Sequence, residues 1–589
     1  MAKDKKRFVA DFETTTNPDD CRVWCFSVTE IGNEENTYIG KDIHEFFTYI
    51  ETLGSCIIYF HNLAFDGQFI IYHLLTNEFT HTTEQKIKPK EFSTLISDDG
   101  VFYSIKVCLK RYCIIDFYDS LKKLPFTVKK IAKDFDLPEQ KGEIDYTKER
   151  PIGYELDENE RNYVANDTII VSKALKHQFD EGLTKMTIAS DALNSFKSLS
   201  KFNELFPVLD DTTDTYVRHS YRGGWVYVNP NYQDVDVENL QVFDVNSLYP
   251  SRMYDCELPY GEPIYYQNEY VFDKEYPLYI CRIRATFTLK EHHLPTIQIK
   301  NNYRFVGTEY ITECTDYPVE LILTSVDYEL FCDMYDIGYI EFIDGFKFKS
   351  IRGIFKNYID KWNKVKMDNT GEGGKPALRA IAKLMLNSLY GKFASRTHVK
   401  TKIPYLKEDG VVGYMTSDEE IKDSIYTPVA SFITAHAREK TIRSAFNFMQ
   451  GEHKISDTLT IYNDKDYFCY ADTDSLHIIF NENYDKLLDV DSKKLGFWKL
   501  ESTPIKGRYL RAKTYIEIIP KIDKETNEEY LYNDVKCAGM PDSVKERITW
   551  DNFHYGFIDY DHKLKPRKVK GGVILETTPF TIKEPIKRK

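Results

Sequence analysis

Apolar residues along this chain change their spacing repeatedly, and each change marks an element. Between about residues 6 and 185, apolar runs alternate with mixed stretches, the pattern of an α/β or α+β domain. Phe8-Val9-Ala10-Asp11-Phe12-Glu13 reads as a strand that sets Asp11 and Glu13 on one face. The apolar run Cys56–Phe60 reads as another strand, followed by His61-Asn62-Leu63-Ala64-Phe65-Asp66-Gly67, where Asp66 suits the cap of the next helix. Tyr163 and Asp167 stand four apart and share a face of an expected helix.

Further along, residues 210–214 are polar and read as a boundary ahead of Tyr221-Arg222-Gly223-Gly224. Residues 240–243 read as a strand with Asp244 at its exit. Residues 374–393 read as a helix with Pro376 in its first turn and an apolar stripe of Leu378, Ala382, Met385 and Leu389. Two segments look inserted: 256–352, expected to be rich in short strands, and 394–427. The second carries Asp409-Gly410 between Ile403-Pro404-Tyr405-Leu406 and Val411-Val412-Gly413-Tyr414, a hairpin signal. Apolar residues also flank Tyr470-Ala471-Asp472-Thr473-Asp474-Ser475, which reads as a hairpin with acids at its tip. Beyond residue 491 the chain is mixed, and basic in places. There is no fixed-period repeat or low-complexity tract, which removes solenoid architectures.

The length of 589 residues exceeds what one core can hold and points to about four domains. Hydrophobic content of 42% is ample for packed cores, and the 43 Tyr and 37 Phe are a surplus suited either to large cores or to stacking on bases. The net charge of -14 speaks against a nucleic-acid partner, yet phosphate binding needs only a local basic track. Three basic runs keep that open: Lys122-Lys123 with Lys129-Lys130 and Lys133, residues 506–513, and residues 563–570. The 11 Cys show no Cys-x-x-Cys pair and no zinc-like spacing. With no apolar leader and no run approaching the roughly 20 residues of a membrane span, a cytosolic protein with reduced thiols is expected.

The acids carry the chemistry. A tight turn that brings Asp472 and Asp474 together is costly unless a cation neutralises it, and hard oxygen donors select Mg²⁺ or Mn²⁺. By itself the turn reads more readily as a solvated loop. Asp244 at a strand end can hold a metal while the turn after it cradles phosphates. Arg379, Lys383, Asn387 and Tyr390 form a second stripe on the 374–393 helix, turned from the apolar one, with cations for phosphates and a ring for a base. Together these elements suit two divalent ions about 3.5–4 Å apart serving phosphoryl transfer. Asp11, Glu13, Asp66 and Asp167 with Tyr163 can assemble a second two-metal site in which the Tyr orients a hydrolytic water.

These residues carry a resemblance. Asp244-Val245-Asn246-Ser247-Leu248-Tyr249-Pro250, Lys383-Leu384-Met385-Leu386-Asn387-Ser388-Leu389-Tyr390-Gly391 and Tyr470-Ala471-Asp472-Thr473-Asp474-Ser475 resemble motifs A, B and C of family B DNA polymerases. The wording is most similar to the protein-primed enzymes of small Bacillus phages, the phi twenty-nine type. Tyr221-Arg222-Gly223-Gly224 matches that group's YxGG motif and Lys513-Thr514-Tyr515 its KxY motif. The N-terminal acids resemble its three exonuclease motifs, and the likeness runs nearly end to end.

The resemblance implies a right-hand fold behind an N-terminal DnaQ-like, RNase H-like 3′→5′ exonuclease domain. It divides the chain into exonuclease (1–185), linker and first part of the palm (186–255), first terminal-protein-region insert (256–352), fingers (353–393), second insert (394–427), palm (428–515) and thumb with tail (516–589). It implies Mg²⁺, or Mn²⁺, two ions at each site, held by Asp244, Val245, Asp472 and Asp474 and by Asp11, Glu13, Asp66 and Asp167. Asp474 and Asp244 would ligate both polymerising ions, with Asp472 the looser partner. Tyr163 would place water and Lys141 would assist. Tyr249, Arg379, Lys383, Asn387 and Tyr390 would bind the deoxynucleoside triphosphate, with Tyr249 excluding a ribose 2′-hydroxyl. Asn62, Phe65, Ser120, Leu121, Tyr221, Arg222, Gly223, Gly224, Lys513 and Tyr515 would bind DNA.

The implied partners are template and primer DNA and a terminal protein that forms a heterodimer with an otherwise monomeric chain in the bacterial cytoplasm. Ala471 stands where relatives carry Cys. Residues 367–375 look longer and richer in Gly than the family's fingers tip, and residues 584–589 read as a disordered basic tail. A nuclease that only grips DNA with its second half, or a non-catalytic scaffold, would be expected to have lost one of Asp244, Asp472, Asp474, Lys383 or Tyr390; all are present.

Overall fold

The computed structural model describes residues 5–584 apart from 147, 300–304, 306–308 and 524–525. Of the expected tail at residues 584–589, all but Glu584 lies outside the described residues. An eight-stranded sheet opens the chain: β1 (Lys6–Thr14), β2 (Val23–Glu30), β3 (Asn33–Gly40), β4 (Cys56–Phe60), β5 (Thr80–His81), β6 (Glu91–Ile96), β7 (Phe102–Lys110) and β8 (Cys113–Asp119). Its order is β3-β2-β1-β4-β8-β7-β6-β5, with β4 parallel to both β1 and β8. Helices α1 (Ile43–Leu53), α2 (Leu63–Thr76), α3 (Val128–Asp134) and α4 (Glu158–Asp180) accompany it. Parallel strands are buried on both faces, which is why β4 reads as an unbroken apolar run. Lys123, expected within a basic run, is instead fully buried and ion-paired with Asp191 at 2.6 Å.

Helices α5 (Ile188–Leu199), α6 (Phe202–Leu205) and α7 (Asp211–Arg218) follow. The polar stretch expected to be a boundary is therefore the cap and first turns of α7. Asp210 accepts from Thr213 N, and Asp214 is buried.

A five-stranded sheet then forms from β9 (Val226–Val228), β11 (Leu240–Val245) and three strands some 230 residues later. Strand β10 (Asp236–Glu238) joins another sheet, and helix α8 (Leu248–Asp255) leads into the first insert. That insert is β12 (Glu257–Gln267), β13 (Leu278–Leu289), β14 (Glu313–Thr324), α9 (Ser325–Met334) and β15 (Tyr335–Arg352). Its strands run 11 to 18 residues, long rather than short as the sequence had implied. Bulges between paired strands break their periodicity and hide that length.

The next three helices are α10 (Lys356–Asp368), α11 (Pro376–Ser388) and α12 (Tyr390–Phe393); the expected single helix over 374–393 is thus two, parted at Leu389. The second insert pairs β16 (His398–Val399) with β19 (Glu420–Ile421) at its root, and β17 (Lys402–Leu406) with β18 (Val412–Thr416) as the expected hairpin. Gly410 takes φ +76° in that hairpin's turn, where a side chain would be strained.

Helix α13 (Thr427–Phe446) is buried on most sides. The small pair β20 (Gly451–Lys454) and β21 (Thr460–Asn463) follows, then β22 (Phe468–Asp472), β23 (Ser475–Ile479) and β24 (Trp498–Ser502) complete the five-stranded sheet in the order β24-β11-β23-β22-β9. Strands β25 (Lys506–Arg511), β26 (Thr514–Ile522) and β27 (Glu529–Cys537) join β10, and the chain closes on the hairpin β28 (Ile558–Val569) and β29 (Gly572–Thr581). Among the described residues no helix is long and apolar enough to cross a membrane, and all 11 Cys are free thiols.

Candidate active sites

Distant segments meet at the acidic hairpin. Asp472 pairs with Ser475 across β22 and β23, leaving Thr473-Asp474 as a two-residue turn in which Thr473 takes φ +62°. The Thr473 amide donates to the Trp225 carbonyl at 2.8 Å, and the Thr441 hydroxyl donates to the Thr473 carbonyl at 2.6 Å. A Cβ on Gly224 would lie 2.4 Å from Thr473 Oγ1, so the second glycine of Tyr221-Arg222-Gly223-Gly224 lets that loop rest on the turn.

Asp244 stands opposite Ser475 in the β11–β23 ladder, and the Val245 amide donates to the Asp474 carbonyl at 2.8 Å. Asp244 and Asp474 are thus brought side by side. Among the described residues neither carboxylate is ion-paired. Burial, then the charges of Asp474 and Glu501, push Asp244 up to about 7 against the pull of Lys499 and Lys383. Burial also raises Asp474. Val245 has a buried side chain and a committed amide, so any ligand role falls to its carbonyl. Asp472 differs: both its oxygens accept from Lys513 Nζ at 2.8 Å, and the Lys513 amide donates to the Tyr470 hydroxyl at 3.0 Å. Among the described residues no three acidic, His or Cys side chains are already gathered at metal-ligating distance. Two adjacent, burial-strained carboxylates nevertheless fit a hard divalent cation, since ionising both without one is costly.

Along α11 and just past its end the stripes fall as expected. Ala382, Met385 and Leu389 are buried and Leu378 half-buried, while Arg379, Lys383 and Asn387 are exposed. Tyr390 stacks on Tyr249 with ring centres 4.1 Å apart and planes 17° off parallel. Helix α10 packs alongside and supplies a cation that sequence reasoning missed. Lys366 is held below its ordinary value by burial and by Lys383 and Arg379, and it donates to Ser247 Oγ at 3.3 Å. Three like charges near one another would favour an anion between them. Glu501, also missed, faces the Asp244–Asp474 pair from β24. Neither had a signal, because both lie in ordinary amphipathic segments.

A second acidic site lies on the N-terminal sheet. Asp11 and Glu13 project from β1, and Asp167 from α4. Asp66 is not a cap: Asn62 holds the N-cap position at φ +77°, and buried Asp66 sits a turn inside α2, where Oδ1 accepts from the Phe12 amide at 3.3 Å. Burial followed by the charge of Asp167 raises Asp11 to about 7, against Lys141. Burial and then Asp11 lift both Glu13 and Asp66 well above the carboxylate range. Lys141 Nζ meets Asp167 Oδ2 at 2.7 Å, whereas Asp167 Oδ1 is buried without a partner. An excess of buried carboxylate over cation, with an orphaned oxygen, again fits divalent ions.

The Tyr163 hydroxyl lies 3.0 Å from that of Tyr146, which sequence reasoning missed. Ser120 is fully buried, donates to the Phe60 carbonyl and contacts His61 Nδ1, so it orients His61. Asp119 Oδ1 accepts from the amides of Asn62 and Leu121, fixing both beside Phe65, whose ring neighbours Phe69.

The remaining motif residues frame the hairpin. Arg438, another residue without a sequence signal, is ion-paired to Asp327 at 2.7 Å, and its Nη1 donates to the carbonyls of Arg222 and Gly223. It thereby fixes the loop that begins at Tyr221. Tyr515 is buried against Tyr470 and His477, so it supports Lys513 from below.

Comparison with known proteins agrees with this geometry. Residues 54–492 match the family "DNA polymerase type B, organellar and viral". The chain is 47% identical to the DNA polymerase of Bacillus phage Nf over 98% of its own length and 100% of the relative's. It is 44% identical to that of Bacillus phage phi29 over 98% and 99%. It also superposes on the phi29 DNA polymerase solved with primer-template DNA at a TM-score of 0.90 and 42% identity, covering 98% of this chain and 100% of the other. The fold is the right hand of palm, fingers and thumb behind an RNase H-like exonuclease domain. The chain belongs to the type B DNA polymerases and is a DNA-directed DNA polymerase of the phi29 type found in Bacillus phages.

Proposed function

We propose that this polymerase replicates viral DNA by protein-primed, processive, strand-displacing synthesis and corrects itself with a 3′→5′ exonuclease. The observation that carries the reading is the presence of two separate groups of unneutralised carboxylates, only one of which faces a cationic helix. In the site at Asp244 and Asp474, the primer 3′-oxygen attacks the α-phosphorus of the deoxynucleotide and pyrophosphate leaves. Lys383 and Arg379, with Lys366, hold the phosphates, Asn387 lines the site, and Tyr390 with Tyr249 walls the sugar and base. When bound, two Mg²⁺ or Mn²⁺ ions at each site supply charge neutralisation and activation of the attacking oxygen. Lys513 keeps Asp472 turned toward the primer side, which makes Asp472 a positioning group more than a ligand.

In the second site Asp11, Glu13, Asp66 and Asp167 would hold the cations, Tyr163 would place water, and Lys141 would steady Asp167. Asn62, Phe65 and Leu121 would receive a frayed primer end, and Tyr221-Arg222-Gly223-Gly224 the template. The phi29 polymerase has been solved with primer-template DNA and incoming nucleotides, and with single-stranded DNA; we assign the same ligands here. The partition proposed is exonuclease 1–185, palm 186–255 and 428–515, inserts 256–352 and 394–427, fingers 353–393 and thumb 516–589. The first insert would dock a terminal protein whose hydroxyl primes synthesis, the second would encircle DNA, and the site of action would be the bacterial cytoplasm.

The test supplies primed single-stranded DNA, Mg²⁺ and deoxynucleotides. Asp244→Ala should abolish extension and spare degradation, and Asp11→Ala should do the reverse. Extension surviving Asp244→Ala would sink the palm assignment. Protein priming is read separately, as labelled nucleotide linked covalently to a terminal protein.

A further inference from the structure

Helix α7 touches both ends of the second insert through the ion pair of buried Asp214 with half-buried Arg218. Asp214 is 1% exposed and pairs with Arg218 one turn later at 2.7 Å. Where the chain enters the insert, Arg218 Nη1 donates to the Ala394 carbonyl at 3.0 Å and Nη2 to the Ser395 carbonyl at 3.1 Å. Where it leaves, the hydroxyls of Ser424 and Thr427 each donate to Asp214 Oδ1 at 2.6 Å, and Arg218 Nη2 reaches Thr427 Oγ1 at 3.0 Å. Asp211, at the start of the same helix, holds His398 of the root strand β16 at 2.7 Å. Ser424 and Thr427 are themselves buried, so these are enclosed, charge-assisted bonds.

Beyond the root the hairpin rests on the N-terminal sheet, where the Asp98 amide donates to the Lys400 carbonyl at 3.1 Å and Val412 is buried. Tyr414 donates to Gln68 Oε1 at 2.9 Å, and Lys568 covers the Tyr414 ring at 3.9 Å. At the root, by contrast, a single pair holds the entering and the leaving chain together. The root also lies between α12 of the fingers and α13, the two helices the insert interrupts.

We propose that the Asp214–Arg218 pair positions the insert hairpin for strand displacement, without part in nucleotide addition. The pair closes a loop of more than 30 residues at its base, so the hairpin can stay aligned while the fingers move. The inference rests on the proposed DNA-encircling role of residues 394–427, and the experiment separates the two.

Full-length protein is assayed on a primed single-stranded template, and on the same template carrying a downstream duplex to be displaced. The variants are Ser424→Ala with Thr427→Val, which strips the exit bonds, and Arg218→Lys, which keeps an ion pair but loses the carbonyl bonds. Thr427→Ser is the conservative rescue, and replacement of 402–416 by a short Gly-Ser turn is the control. The first two should lose displacement synthesis by roughly ten-fold while single-strand extension changes by less than about two-fold, and Thr427→Ser should behave as wild type. Displacement unaffected in both variants but lost in the hairpin replacement would overturn the positioning role. Equal loss on both templates would overturn it too, because a grip on the insert alone predicts selective loss. A hairpin replacement that displaces normally would instead refute the DNA-encircling reading beneath it.

Discussion

Removing the charge of Asp244 should stabilise the folded chain as it ends synthesis. Burial and the neighbouring Asp474 lift its carboxyl from 3.8 to about 7. For a raised acid, the folded chain keeps a proton that the unfolded chain has already released. Stability therefore falls as pH rises from about 4 to about 7 and is level above that window. Each pH unit of displacement is about 1.4 kcal/mol, so a fully enclosed group at about 7 would cost on the order of 4 kcal/mol. Asp244 is half-buried, and solvent screening brings this to roughly 2 kcal/mol. For a domain of 150–250 residues, that moves the unfolding midpoint by roughly 4–8 °C. Asp244→Asn, which keeps the shape, should thus melt higher than wild type at pH 8 with chelator present. The gap should shrink steadily toward pH 4. Mg²⁺ should raise the wild-type midpoint and close the gap, because a bound cation relieves the same repulsion. Differential scanning calorimetry across pH 4 to 8 reads all of this. A variant that melts below wild type at pH 8, or a gap indifferent to pH, would show that Asp244 is an ordinary satisfied carboxylate.

Two further outcomes follow from particular contacts. Tyr249→Val removes a ring stacked 4.1 Å from Tyr390, and should erode discrimination between deoxyribo- and ribonucleotides by roughly 10²-fold, read from single-turnover incorporation of each; unchanged discrimination would clear Tyr249 of that role. Within the basic run 563–570, Arg567 is paired to Glu576 at 3.1 Å, Lys563 lies over Phe580, and Lys568 is lowered to about 8 by burial and by Lys402 and Lys407. Neutralising Lys563, Lys565, Arg567 and Lys568 together should lower the salt slope of DNA binding by no more than about two, not the roughly 3.6 that four free phosphate contacts would release. An unchanged slope would remove this run from the DNA path.

How far the sequence could be read depended on how local each determinant was. The hairpin at Asp472 and Asp474, the strand before Asp244 and the stripes of α11 follow from period and turn chemistry alone, and they stand where expected. Asp66 failed as a cap because the left-handed Asn62 starts α2 one turn earlier, and nothing in composition announces that conformation. Residues 210–214 looked like a linker because their polarity was visible and its burial was not. Asp214 is satisfied by Ser424 and Thr427, over 200 residues away. Lys123 misled for the same reason, since its partner Asp191 comes from another helix. Polar residues satisfied over long range look like surface until the fold is known.

The two acids at the hairpin tip show what such pairing decides. One residue apart, they are equivalent in sequence, yet the antiparallel ladder sends them to different partners. Asp474, at the turn, faces Asp244 and stays unneutralised. Asp472, still in register with Ser475, meets a lysine from the next sheet at 2.8 Å. The proposed metal site would need charge left over, and Lys513 needs an acid to hold it, and one Asp-Thr-Asp turn supplies both. The same logic separates the N-terminal site. There Lys141 satisfies one oxygen of Asp167 and leaves the other buried and unpartnered beside Asp11. In both sites one lysine neutralises part of the acid cluster and leaves carboxylates that a proton or a divalent cation would relieve. In each cluster burial and a neighbouring acid then drive one carboxyl, Asp244 or Asp11, up to about 7.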